Sequence, residues 1–310
     1  MRRTIQNAWN YKNIISKAKM GHKSILIVEG IDDVKKFNLI KQSIDRKIEV
    51  KSIGSFENYY KEKGAEYVMD FIEKLIEYHQ SNNSHDYIGY ILGIVDRDSI
   101  CYERKETKEN DLLYVLDYYS LESYYINKEV IEKTLSTVIT NPDLINDNIV
   151  SSLYDEVLTK SIENLYYISL EALKKSCDSS YSAIIGYKPD NIINFLNHDS
   201  LPSKKNDLDI FAQNKGLEKD INTALKIIKG KWFISSFRDI YLEKIKELEE
   251  LCKNGEIRQC DNCSIDEISE PCLYKPRDVK LQEHNIEEII FTLIDLDSLT
   301  PIKNRIKKLK

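Results

Sequence analysis

Two acidic clusters, each closing a run of apolar residues, hold the side chains that could do chemistry. Residues 24–33 read SILIVEGIDD and residues 90–98 read YILGIVDRD. Both apolar runs are short, β-branched and uninterrupted, the pattern of a strand buried on both faces of a parallel sheet. In an open α/β sheet, the carboxyl ends of such strands face the ligand crevice. Two of them would bring Glu29, Asp33, Asp96 and Asp98 to one edge. Packing gains nothing from that, because like charges repel and their desolvation is costly. A divalent cation resolves the conflict, and hard carboxylate oxygens suit Mg²⁺ or Mn²⁺. Four or five carboxylates can hold two ions ~3.5–4 Å apart, the clamp of phosphodiester chemistry. The competing reading makes the same acids helix caps and loop solvators.

The spacing sets expectations. Glu29 ends its strand, Gly30 lets the chain turn tightly into a helix, and Asp33 lies four residues on. If the backbone stays extended after Val95, Asp96 and Asp98 point to one side and Arg97 to the other. A strand ending in Asp also occurs in P-loop ATPases, but these need G-x-x-x-x-G-K-[ST] after a strand. Residues 21–24, GHKS, lack the upstream glycine and precede their strand.

Stepping outward, the elements that must carry these residues alternate strand and helix. A short amphipathic helix over 5–20 precedes a strand at 24–29. Asp32 can cap a helix over 33–43, with Val34, Phe37, Leu39 and Ile40 as candidate core. A strand at 49–54, a helix over 58–80, a strand at 87–95 and a strand at 112–116 follow, with a helix starting near 121–126. That order implies βαβ units with right-handed crossovers. The fold class is therefore α/β, a parallel sheet flanked by helices over residues 1–140. Asn141 and Pro142 mark a change of pattern. Residues 141–310 read as mainly helical, with helices at 147–177, 189–197, 218–229, 235–254 and 284–297 and a polar loop over 199–216.

The chain has 310 residues and a formal net charge of −6. The acidity argues against nucleic-acid binding through net charge alone and leaves room for a local basic groove. No apolar stretch approaches the ~20 residues of a membrane span. Residues 1–9 lack the apolar core of a signal peptide. The expectation is a soluble, cytoplasmic protein whose six cysteines are reduced or metal-bound.

At the acidic clusters the sequence resembles the TOPRIM domain, and within it the OLD-like nucleases. That domain's signature is a strand-end Glu followed by Gly, then Asp-x-Asp at a later strand end. Glu29 with Gly30, and Asp96 with Asp98, match it. Asp33 matches the additional acid of OLD-type members. Residues 117–125, DYYSLESYY, resemble the segment after the last strand in that group, which implies Glu122 as a further metal ligand. The resemblance covers roughly residues 20–130. A TOPRIM domain with a helical C-terminal part looks like the TOPRIM effector of PARIS-type phage-defence systems. This implies a metal-dependent nuclease that cuts RNA, transfer RNA above all, and is held in check by an ABC-type ATPase partner. It also implies Lys231, in the run KGKWF at 229–233, as the cation beside the phosphate; a solvated surface lysine is the other reading. Two further functions stay open, an OLD-like DNA nicking enzyme and a non-catalytic regulator of an ATPase complex. The helical part could also support a homodimer.

Cys260 and Cys263 form C-x-x-C, with Cys252 before and Cys272 after. Four thiolates could close a tetrahedral Zn²⁺ site, with His284 a possible fifth candidate; reduced unligated thiols and a redox pair are the alternatives. The basic end, with Lys303, Arg305, Lys307, Lys308 and Lys310, could contact phosphates or simply solvate a helix end. Arg238 could add to a basic groove.

Overall fold

The computed structural model describes residues 9–84, 87–103, 110–196, 198–264, 270–277 and 298–310. The chain forms two compact units, one of residues 1–97, 106–117 and 299–310, the other of residues 98–105 and 118–298. The expected single boundary at 140 is thus replaced by a chain that leaves the first unit after Arg97 and returns to it twice.

The first unit is the α/β part. Strands β1 (Ser24–Val28), β2 (Ile48–Ser52), β3 (Ile91–Val95) and β4 (Leu113–Val115) form a parallel sheet in the order β2-β1-β3-β4. Ile25 pairs with Glu49 on one side and Ile91 on the other. Every residue of β1 and β3 is buried, as the continuous apolar runs require of inner strands covered on both faces. Helix α1 (Ile14–Met20) leads in, α2 (Ile31–Gln42) links β1 to β2, and α3 (Ala65–Ser81) links β2 to β3. Gly93 lets α3 lie close on β3, since a β-carbon there would meet Val68 Cγ1 at 3.0 Å and Ile72 Cγ1 at 3.2 Å.

Several local expectations change. Helix α3 starts seven residues later than expected, because Gly64 adopts φ +123° and resets the backbone before Ala65. In α2, Phe37 and Ile40 are buried but Leu39 is 41% exposed, so the apolar stripe is narrower than the composition suggested. Asp33, not Asp32, caps that helix: its Oδ2 accepts the Gly30 N–H at 3.0 Å. The segment after β4 is a 3₁₀ turn, Leu121–Tyr124.

The second unit contains α4 (Ile100–Glu103), α5 (Lys128–Val138), the 31-residue α6 (Asp147–Cys177), α7 (Ile193–Leu196), α8 (Leu201–Asn214), α9 (Ile221–Ile227) and α10 (Gly230–Lys253). Helix α6 packs against α5, α8, α9 and α10 and forms the axis of the unit. It brings Val157, Leu165, Ile168 and Leu173 to a core filled by Trp232, Phe237, Tyr241 and Ile245 of α10. The loop expected over 199–216 is helix α8. Pro202 sits in its first turn, where a missing N–H costs nothing, and Leu201, Leu208 and Ala212 supply a thin buried stripe. Helix α11 (Thr300–Ile306) belongs to the first unit and packs on α2. The helix expected at 284–297 lies outside the described residues, as does His284. Among the described residues, no helix is long and apolar enough to cross a membrane.

Candidate functional site

In the first unit the acids gather where the sheet topology predicts a ligand crevice. The chain goes from β1 outward to β2, then crosses back to β3 on the other side of β1. The carboxyl ends of β1 and β3 therefore flank the topological switch point, the usual binding edge of an open parallel sheet. Glu29 follows β1 and Asp96 follows β3. They meet there, the Asp96 N–H donating to Glu29 Oε1 at 2.7 Å. Asp33, in the first turn of α2, is tethered to the same edge through Gly30. A β-carbon on Gly30 would lie 3.3 Å from Asp33 Oδ2. Gly30 has φ −133° and ψ 168°, extended values open to any residue. The chain turns from β1 into α2 across Glu29 and Gly30 as expected, and what Gly30 contributes there is space beside a carboxylate rather than a conformation that only glycine adopts.

The second unit holds the other acids. Asp98 has φ +42°, so the backbone turns left-handed where an extended course was expected. The condition for same-side alternation of Asp96 and Asp98, an extended backbone, is therefore not met at Asp98. The Asp98 N–H donates to the Tyr119 carbonyl at 3.0 Å. The residue as a whole keeps some surface, but its carboxyl group is enclosed. Burial pushes that carboxyl up to about 6, against a hydrogen bond from Tyr119 and the charge of Lys229; Glu122 and Glu103 push the same way as burial. Glu122 stands in the 3₁₀ turn after Ser120, whose Oγ donates to Glu122 Oε2 at 2.7 Å. The start of α10 presses on it: a β-carbon on Gly230 would lie 2.9 Å from Glu122 Oε2 and 2.1 Å from Ser120 Oγ.

The lysines that flank Gly230 differ. Lys231 Nζ pairs with Asp190 Oδ2 at 2.8 Å on a side chain 63% exposed. Lys229 Nζ contacts Asp190 Oδ1 at 2.7 Å and the carbonyls of Tyr187 and Pro189, on a side chain only 17% exposed. The charge of Lys229 is one of the causes that act on Asp98. The sequence singled out Lys231 from a Gly-Lys pattern, and no local signal separates the two. Arg238 bonds Asp239 at 2.8 Å on its own helix.

The basic tail sits at the other end of β1. Ser24, the first residue of that strand, donates from Oγ to the Lys310 carbonyl at 2.8 Å, and the Lys310 N–H reaches Gly89 at 2.7 Å. Five strand residues, about 16 Å, separate this end from the Glu29 edge.

Among the described residues, one group of three or more potential ligands has all its ligand atoms within 4.8 Å of one another: Cys252, Cys260, Cys263 and Cys272, a cluster that could bind a metal such as zinc. No three carboxylates are drawn that close together there. Compared with known proteins, the chain matches no family model and no curated protein.

Proposed function

We propose that the chain is a metal-dependent TOPRIM-type nuclease. The observation that carries this reading is the Glu29–Asp96 junction at the switch point of a parallel sheet, with Asp33 tethered beside it. The donor set fits a hard divalent cation such as Mg²⁺ or Mn²⁺, being carboxylate oxygens without nearby thiols or imidazoles in the motif. Glu29, Asp33 and Asp96 are the proposed ligands from the first unit. Asp98 and Glu122, which lie in the second unit, are further ligands only as the resemblance implies.

A bound ion of this kind activates water and stabilises a leaving oxygen in phosphodiester hydrolysis. The chain's own residues prepare for that. The Asp96 amide fixes the Glu29 carboxylate, and the Gly30 amide fixes Asp33, so both donors are oriented before any ligand arrives. Asp98 loses its proton near neutral pH and then presents an anion. Lys229, buried along its stem, is the proposed cation that offsets charge growing on the phosphate. RNA, with transfer RNA foremost, an ABC-type ATPase partner and a role as toxic effector in anti-phage defence all rest on the resemblance to PARIS-type effectors.

The test is incubation of the full chain with Mg²⁺ and either total RNA or supercoiled plasmid, alongside Glu29→Gln and Asp96→Asn. Gln keeps an oxygen to accept the Asp96 N–H, so the fold should survive while the anion is lost. RNA cleavage that both variants abolish supports the proposal. Plasmid nicking alone transfers it to the DNA-nicking reading. Cleavage undiminished in both variants refutes it, and binding without cleavage by the native chain leaves a regulator.

A further inference from the structure

We infer that Cys252, Cys260, Cys263 and Cys272 hold one structural Zn²⁺, and that this ion, not a hydrophobic core, orders residues 254–264 and 270–277. The inference is independent of the nuclease reading. The four sulfur atoms lie within 4.8 Å of one another, and Cys260 Sγ and Cys272 Sγ are 3.9 Å apart. A tetrahedral thiolate site with Zn–S bonds of about 2.3 Å has sulfur–sulfur edges of about 3.8 Å. A disulfide needs about 2.05 Å, so the observed separation fits a shared ion and not a covalent pair.

The surroundings match a closed site. All four cysteines are buried, at 0%, 1%, 9% and 2% exposure in chain order. Two backbone amides point at the sulfurs: the Cys260 N–H donates to Cys252 Sγ at 3.3 Å and the Leu273 N–H to Cys260 Sγ at 3.5 Å. Such donors stabilise thiolate charge and orient the ligands. Four sulfur ligands leave no open position for substrate or water, so the site is structural.

The segment needs such a staple. Among the described residues of 254–277, only Cys260, Cys263, Cys272 and Tyr274 are buried. One aromatic ring and three thiols do not make a core. Yet the segment is tied to the chain between α5 and α6 by ordered backbone bonds. Asn141 N–H donates to the Leu273 carbonyl at 3.0 Å, Thr140 N–H to Lys275 at 3.1 Å, and Arg277 N–H to Val138 at 2.8 Å. Ile139 and Pro276 form an antiparallel bridge. Cys252, in the last turn of α10, anchors the other side of the cluster. The ion thereby joins the end of α10 to the α5–α6 connection.

Metal analysis of the full chain, purified under reducing conditions and reloaded with Zn²⁺ after metal removal, tests this. One zinc per chain is expected. Substitution by Co²⁺ should give the charge-transfer and d–d bands of a tetrahedral tetrathiolate site. Cys260→Ser and Cys272→Ser should lose the ion, whereas Cys101→Ser and Cys177→Ser should retain it. In hydrogen exchange of the native chain, zinc removal should strip protection from Thr140, Asn141, Leu273 and Arg277 while the middle of α6 stays protected. A reloaded chain without zinc, a chain carrying iron instead, absent cobalt bands, or protection unchanged on zinc removal would overturn the inference.

Discussion

Removing the charge of Asp98 should stabilise the metal-free protein, and only at neutral or higher pH. The folded carboxyl titrates at about 6, against 3.8 for an unperturbed Asp, mainly because it is buried. Between those values the folded state binds a proton that the unfolded state has released. Stability therefore falls as pH rises through this window, since it rises with pH only where the unfolded chain holds more protons. Below about pH 3.8 the term vanishes, and above about 6 it is complete. A gap of about two pKa units corresponds to roughly 3 kcal/mol, an upper bound because the residue keeps some surface. Asn suits the left-handed backbone at φ +42° and can still accept the Tyr119 hydrogen bond. Asp98→Asn in EDTA should then raise the melting temperature at about pH 8 by up to roughly 6–12 °C for a unit of this size. At about pH 4 it should change little. Adding Mg²⁺ should narrow the gap by stabilising the native chain alone. Calorimetry or circular-dichroism melts at both pH values measure this. A variant less stable at pH 8, or a gap equal at both pH values, would refute the argument.

Other perturbations have defined outcomes. Gly230→Ala should destabilise by about 1–3 kcal/mol through its clashes with Ser120 Oγ and Glu122, although helix propensity alone favours Ala; adding Ser120→Ala should restore only part of the loss in urea melts, since Glu122 Cβ and Oε2 stay 2.9 Å from the new β-carbon. Lys229→Met should raise the Asp98 pKa in carboxyl NMR titration, and by more than Lys231→Met does. If the proposed nuclease activity uses Asp98 as a ligand, it should climb as pH rises through about 6, where that carboxyl loses its proton, and any residual activity of Asp98→Asn should lack that inflection. Glu171 is fully buried and holds Lys204 at 3.2 Å, the Ile184 N–H and the Tyr181 hydroxyl; Glu171→Ala should cost about 3 kcal/mol in denaturant melts.

Strands and their end residues were legible from sequence because the signal is local. An uninterrupted run such as Ile25 to Val28 has one stable fate, an inner strand, and the residue after it must emerge at the sheet edge. That reasoning located Glu29 and Asp96, and the two do meet. Long helices with full apolar stripes, such as α6, were legible for the same reason. Helix α8 was not, since its stripe is three small or medium side chains on a polar background and only the surface of α6 makes it worth burying. The choice between Asp32 and Asp33 as cap turned on side-chain direction, which residue type and spacing leave open. So did Asp98 itself: its left-handed backbone comes with an N–H bond to the Tyr119 carbonyl, 21 residues along the chain. The cysteine spacing raised zinc as one of three options. Four sulfurs brought within 4.8 Å arise only when α10 and the segment after it fold back on each other. Local pattern determines which groups can exist at an edge or on a face; long-range packing decides which of them meet, because meeting depends on where distant chain segments are held.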